Sequence, residues 1–276
     1  MKIHLSQYAG FCFGVERAVR IAHEHLKKDK DIYIIEDIVH NRYVSEKLKK
    51  EGIKKVKDVE DIPKKNSFLI NAHGVAKAIY EKAKKRDLKI IDTTCPIVKN
   101  IHKKAVDLEK EGYRVIIIGD RDHAETQGIL GNVKEGIVIE RVKDLGKIKN
   151  IPSKIGCISQ STQDIENVAS IIHELVKKAE EVKFIKTICK EIEKRQEEIK
   201  KLSKKTEAII IVGSFKSANT YRLFEIAKNI NPNTFFIEGV REIKKEWRKF
   251  NSLSIAGGAS TPSFLLEEIK KKLNDL

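Results

Sequence analysis

The chain has 276 residues, 41% of them hydrophobic, and a formal net charge of +15. That length buries a sizeable core in two or three compact units, while the lack of any apolar run near twenty residues argues against a membrane span. Nothing at its start resembles a secretory leader, so a cytoplasmic protein is expected.

The basic excess admits nucleic acid, an acidic surface or an anionic small molecule as partner. Much of it lies in helical stretches such as KKAVDLEKEG and CKEIEKRQEEIKKLSKK, where Lys alternates with Glu, and a solvated face is the simpler reading. With no aromatic platform or RNP-like run, no nucleic-acid partner is expected.

From the N-terminus, KIHLSQYAGFC ends at Cys12 and leads into the amphipathic VERAVRIAHEHLKK. The apolar runs IYII, SFLI and KIID follow, with the amphipathic AKAIYEKAKKR before KIID, which runs on to Cys95. RVIIIG, IVIE and KIGCIS come next, then the helical TQDIENVASIIHELVKKAEE, then FIKTI, which ends at Cys189. AIIIVG, TFFIEG and LSIAGG complete the series. Continuous β-branched runs suit strands covered on both faces, as in parallel sheets, and the amphipathic segments supply the cover. The alternation predicts an α/β protein of three similar lobes with mainly parallel sheets: 14–95, 96–189, and 190–276 together with 1–13.

Four cysteines without a C-x-x-C pair argue against a disulfide framework, a zinc ribbon or a dithiol. Cys157, inside KIGCIS, reads as a small buried hydrophobe. Cys12, Cys95 and Cys189 each stand where an apolar run gives way to a helix, and the positive end of a helix favours a thiolate. Ligands of α/β units bind beyond the carboxyl ends of strands, so three converging lobes would bring three thiolates to one centre. Three thiolates are one too few for a closed tetrahedral zinc site or an ordinary iron-sulfur cluster; a cluster so held keeps one iron open to substrate. A zinc-dependent hydrolase of a phosphorylated substrate is the alternative.

His40, His73 and His123 also follow apolar runs, where imidazole serves as metal ligand, proton donor or phosphate contact. The other five histidines fall within strand or helix patterns. Glu125 is either a charge favoured by a helix start or, if shielded from water, an acid of raised pKa able to deliver a proton. SQSTQD places Ser161 or Thr162 as a helix N-cap, with Thr162 also placed to orient that carboxyl. GSFKSANTYRL and AGGASTPSFLL set small residues before helices, an arrangement that caps helices and also binds phosphate, through Ser217, Asn219 and Ser260. Neither is a recognised nucleotide motif.

In order along the chain stand GFCFGVERAV, HNRYV, AHGV, DTTCP, HAE, SQST, TIC, SANTYRL and GAST. With these the sequence resembles, from end to end, the 4-hydroxy-3-methylbut-2-enyl diphosphate reductases, the LytB or IspH family of the non-mevalonate isoprenoid pathway. The resemblance implies a trefoil of three α/β lobes around a central 4Fe-4S cluster held by Cys12, Cys95 and Cys189. It implies that the allylic hydroxyl of the diphosphate substrate docks on the open fourth iron and leaves as water, giving isopentenyl and dimethylallyl diphosphates. Glu125 is then the proton donor with Thr162 beside it, and His40, His73, His123, Ser217, Asn219 and Ser260 surround the substrate. An external electron donor such as ferredoxin or flavodoxin is implied as well. The chain departs from the family pattern at Ala218, where a second serine is common, at Ala124, where proline is frequent, and after Cys189, where a threonine is often present.

Overall fold

The computed structural model describes residues 1–148 and 150–275. The first part of the chain forms β1 (Lys2–Leu5), α1 (Phe13–Leu26), β2 (Ile32–Ile34), α2 (Arg42–Glu51), β3 (Lys54–Lys55), β4 (Ser67–Ile70), α3 (Lys77–Lys85) and β5 (Lys89–Asp92). Next come α4 (Pro96–Lys110), β6 (Arg114–Ile118), α5 (Ala124–Leu130), β7 (Ile137–Ile139), β8 (Lys154–Ser159), α6 (Ile165–Val176) and β9 (Glu181–Phe184). The last part forms α7 (Lys190–Lys205), β10 (Ala208–Val212), α8 (Ala218–Ile230), β11 (Thr234–Ile237), β12 (Ser252–Gly257) and α9 (Ser263–Asn274).

The strands build three four-stranded parallel sheets, ordered β3-β2-β4-β5, β7-β6-β8-β9 and β11-β10-β12-β1. One winding is used three times, with the first and third strands of each set at the centre and the second and fourth at the edges. The last sheet takes its fourth strand from the start of the chain, with Lys2 opposite Ser252 and Leu5 opposite Ile255. These are the three α/β lobes with parallel sheets expected from the alternation of apolar runs and amphipathic segments.

Two-sided burial explains the unbroken apolar runs. On β10, Ile210 and Val212 pack with Trp247 and Leu266, while Ile209 and Ile211 pack on the opposite face with Ile199 and Leu223. On β6, Ile116 and Ile118 join one cluster with Val168, and Val115 and Ile117 join another with Leu108. A strand alternates faces at every residue, so an apolar side chain is required at each position. Each such Ile contributes about 1.5–3 kcal/mol by leaving water.

The chain divides into two compact units. One comprises Met1–Glu16, His40–Val44 and the chain from Lys190 onward, and holds the sheet β11-β10-β12-β1. The other comprises Arg17–Val39 and Ser45–Cys189 and holds the remaining two sheets. Within it, α4 covers β6 and β8 through Ile101, Ala105 and Leu108. No helix among the described residues is long and apolar enough to cross a membrane.

Two local expectations change, and one strand was not expected. The run FIKTI is not a strand: β9 ends at Phe184, having paired with Lys154–Cys157. Beyond it the Thr187 hydroxyl accepts the Ser159 N–H (2.7 Å) and donates to the Ser159 carbonyl (2.6 Å), so a side chain replaces the ladder. The helix after KIGCIS starts at Ile165 and is capped by Asp164, not by Ser161 or Thr162. The two-residue β3 at the edge of its sheet is too short to leave a pattern in the sequence.

Candidate active site

Each corner cysteine occupies the same place in its winding. Cys12 immediately precedes α1, Cys95 precedes α4 with Pro96 in the first helical position, and Cys189 precedes α7. Each backbone N–H donates, at 2.9 Å, to a carbonyl just past the neighbouring central strand: Cys12 to Ala259, Cys95 to Ala72 and Cys189 to Ser161. The three thiols are half-buried and none forms a disulfide. Cys157 differs in every respect, because it is fully buried in the middle of β8 and burial pushes its thiol up to about 12.

The loops after the first and third strands of each winding carry the other residues that the sequence singles out. In a sheet of this order those strands lie side by side while their connections leave in opposite directions, and the crevice between them is where α/β proteins bind ligands. His123 follows β6 and caps α5, its Nδ1 accepting the Glu125 N–H at 3.1 Å. An accepting Nδ1 places the proton of the neutral ring on Nε2. His73 follows β4, its N–H donating to the Asn71 carboxamide oxygen (3.1 Å), and its ring meets that of His123 edge to face at 5.2 Å. Gly74 beside it sits at φ +75°, and a Cβ there would meet both His102 and Thr94 at 3.0 Å.

Glu125 is 2% exposed, on the first turn of α5. Ser161 holds it: the Ser161 N–H donates to Oε1 (2.5 Å) and the Ser161 hydroxyl to Oε2 (2.7 Å). Thr162 does not make these bonds; its hydroxyl accepts from the Gln160 carboxamide (2.9 Å). Both residues lie in the turn after β8, closed by the Gln163 N–H donating to the Gln160 carbonyl at 3.1 Å, and only the Ser161 hydroxyl reaches the carboxyl. Burial pushes the Glu125 pKa up to about 7, against the pull of the two Ser161 bonds.

In the other unit, Ser217 caps α8, its hydroxyl accepting the Thr220 N–H at 3.3 Å. Ser260, in the loop after β12, donates from its hydroxyl to the His40 carbonyl (3.2 Å). Asn219 is 4% exposed, and among the described residues neither its carboxamide oxygen nor its nitrogen has a hydrogen-bond partner. An orphaned buried amide costs about 1–3 kcal/mol, which a polar ligand at this position would relieve.

The family model described as LytB protein matches residues 3–274. The chain belongs to the LytB family. A 4-hydroxy-3-methylbut-2-enyl diphosphate reductase of Aquifex aeolicus is 37% identical over 281 residues, covering 99% of this chain and 96% of its own. One from Clostridioides difficile is 37% identical over 282 residues, with full coverage of both. Among solved structures, an (E)-4-hydroxy-3-methyl-but-2-enyl diphosphate reductase, the terminal enzyme of the non-mevalonate pathway, matches with TM-score 0.71 and 36% identity over the whole of both chains. The Plasmodium falciparum E-1-hydroxy-2-methyl-but-2-enyl-4-diphosphate reductase matches with TM-score 0.94 and 31% identity, covering 99% of this chain and 88% of that one. None of these relatives lends support to a zinc-dependent hydrolase.

Two departures from the LytB pattern take a definite place. Ala124 and Ala218 are the first residues of α5 and α8, directly after the capping His123 and Ser217. Ser161 is the hydrogen-bonding neighbour of Glu125 that sequence alone passed over in favour of Thr162; two consecutive hydroxyls in SQST offer no signal to separate them.

Proposed function

We propose that the chain is a 4-hydroxy-3-methylbut-2-enyl diphosphate reductase, an iron-sulfur enzyme of the last step of the non-mevalonate isoprenoid pathway. It removes the allylic hydroxyl of (E)-4-hydroxy-3-methylbut-2-enyl diphosphate with two electrons and two protons, releasing water and forming isopentenyl and dimethylallyl diphosphates. The observation that carries this reading is a buried carboxyl, Glu125, on the first turn of the helix that follows a central strand, where burial pushes its pKa up to about 7.

The donor set fits a 4Fe-4S cluster with three cysteine ligands and one open iron. Cys12, Cys95 and Cys189 offer half-buried thiols at equivalent helix starts, whereas the buried Cys157 offers none. When bound, that cluster supplies the electrons and a Lewis-acidic iron open to the substrate oxygen. The residues of the chain do the rest. Glu125 delivers a proton, with Ser161 holding it and Thr162 the next residue of the same loop. His40, His73, His123, Ser217, Asn219 and Ser260 bind the diphosphate and the hydroxyl, and the orphaned Asn219 amide supports a polar ligand there. Remote binding of the diphosphate orients the reacting carbon, and burial excludes water. The lobe limits 14–95, 96–189 and 190–276 with 1–13, a ferredoxin- or flavodoxin-like electron donor and a cytoplasmic location belong to the same proposal.

The direct test is anaerobic turnover of the diphosphate alcohol with a strong chemical reductant. Formation of the two isomeric diphosphates is expected. A protein containing iron and acid-labile sulfide that leaves the alcohol unchanged refutes the proposal, and stoichiometric zinc without sulfide points back to a hydrolase.

A further inference from the structure

Two guanidinium groups hold the backbone just ahead of two corner cysteines. Arg17, half-buried in α1, donates through one nitrogen to the carbonyl oxygens of Thr93 and Thr94, at 3.2 Å each. These are the two residues before Cys95. Arg195, buried in α7, donates to the carbonyls of Tyr8, Gly10 (3.0 Å) and Gly257 (3.3 Å). Tyr8 and Gly10 lead into Cys12. From the same helix the Glu198 carboxylate accepts the N–H groups of Gln7 (2.8 Å) and Tyr8 (3.4 Å), so α7 serves both polarities of that loop. At the third corner the tie is neutral, through the Thr187 hydroxyl and Ser159.

The chemistry of Arg17 goes beyond tying a loop. A carbonyl oxygen carries no net charge, so it orients a guanidinium without cancelling it. Among the described residues Arg17 has no carboxylate partner. Partial burial leaves that charge less screened than at an open surface. A fixed cation favours thiolate and any further negative charge nearby. Net charge and local polar groups are also what set the potential of an iron-sulfur centre. The planar fork spans two acceptors at once, whereas the compact ammonium of lysine supplies a similar charge with less geometric control.

We propose that Arg17 and Arg195 are positioning residues of the metal centre: they fix the loops that present Cys95 and Cys12, and the charge of Arg17 raises the reduction potential of the cluster. The inference rests on the iron-sulfur reading given above.

The test uses reconstituted holoenzyme, comparing wild type with Arg17→Gln, Arg17→Lys and Arg195→Lys. Two quantities are read: the midpoint potential of the cluster by spectroelectrochemical titration, and the rate of iron loss to a chelator. Arg17→Gln is expected to lower the potential and to lose iron several-fold faster. Arg17→Lys restores the potential but still loses iron faster than wild type, as does Arg195→Lys. Because Arg195 is buried, the Arg17 pair decides the matter even where Arg195→Lys does not fold. Wild-type potential and wild-type iron retention in Arg17→Gln overturn the inference. A wild-type protein that takes up no iron and sulfide defeats the iron-sulfur reading itself, and this inference with it.

Discussion

At Glu125, two opposing effects meet on one carboxyl. Loss of water favours its neutral form, and the two donors of Ser161 favour its ionised form; burial wins and the pKa rises to about 7. The folded pKa therefore lies above the ordinary value of 4.5. The resulting stabilisation is fully present below the ordinary value and is lost as pH climbs through the folded one, an effect of about 3 kcal/mol. Glu125→Gln is neutral at every pH, so its thermal stability is expected to change less than that of wild type between about pH 5 and about pH 8. The same variant keeps the cluster spectrum but loses turnover by roughly 10²–10⁴-fold, because only the titratable proton is gone. Ser161→Ala removes one donor to the ionised carboxyl, so the alkaline limb of the kcat profile is expected to move to higher pH; a profile unchanged from wild type would separate Ser161 from the proton donor.

Among the elements, the central strands were the most legible. SFLI and KIGCIS coincide with the central β4 and β8 residue for residue, and KIID with the edge strand β5. Flanking helices demand apolar side chains on both faces of the central strands, and the run stops where cover stops. FIKTI failed for the complementary reason: at an edge one hydroxyl, Thr187, can take over the ladder and leave an apolar run outside the sheet. Cys157 shows what the interior of such a strand tolerates. Cys157→Ala is expected to leave iron content unchanged and to cost about 1–2 kcal/mol for the lost sulfur contact, whereas Cys12→Ser, Cys95→Ser or Cys189→Ser is expected to reduce bound iron. At α5, Ala124 takes the first helical position behind an extended His123 with φ −76° and ψ 136°, a site that suits proline. Ala124→Pro is expected to raise the melting temperature, by the equivalent of about 0.4–1 kcal/mol, with turnover retained. A fall in stability would show that the Ala124 N–H or the backbone here cannot accept the ring.

Over the whole molecule, a single winding repeated three times gives the corner cysteines and the loop residues equivalent topological addresses. That repeat was visible in the sequence as apolar runs closing at Cys12, Cys95 and Cys189. The first strand, β1, pairs with β12 and so belongs to the last sheet, where the sequence offered only that the tail after Cys189 could join the first few residues. Arg17 and Arg195 left no trace at that stage. They sit in helices already crowded with charge, and only their carbonyl partners set them apart from the solvated lysines. The choice between Ser161 and Thr162 was equally hidden, since it depends on the direction of two neighbouring side chains.

The central claim is that three cysteines hold a four-iron cluster while one iron stays free to take the substrate oxygen. Mössbauer spectra of the intact protein, recorded with and without the diphosphate alcohol, test it most directly. One iron in four is expected to differ from the rest and to shift when the alcohol is added. Four equivalent irons that do not respond to it would contradict the account.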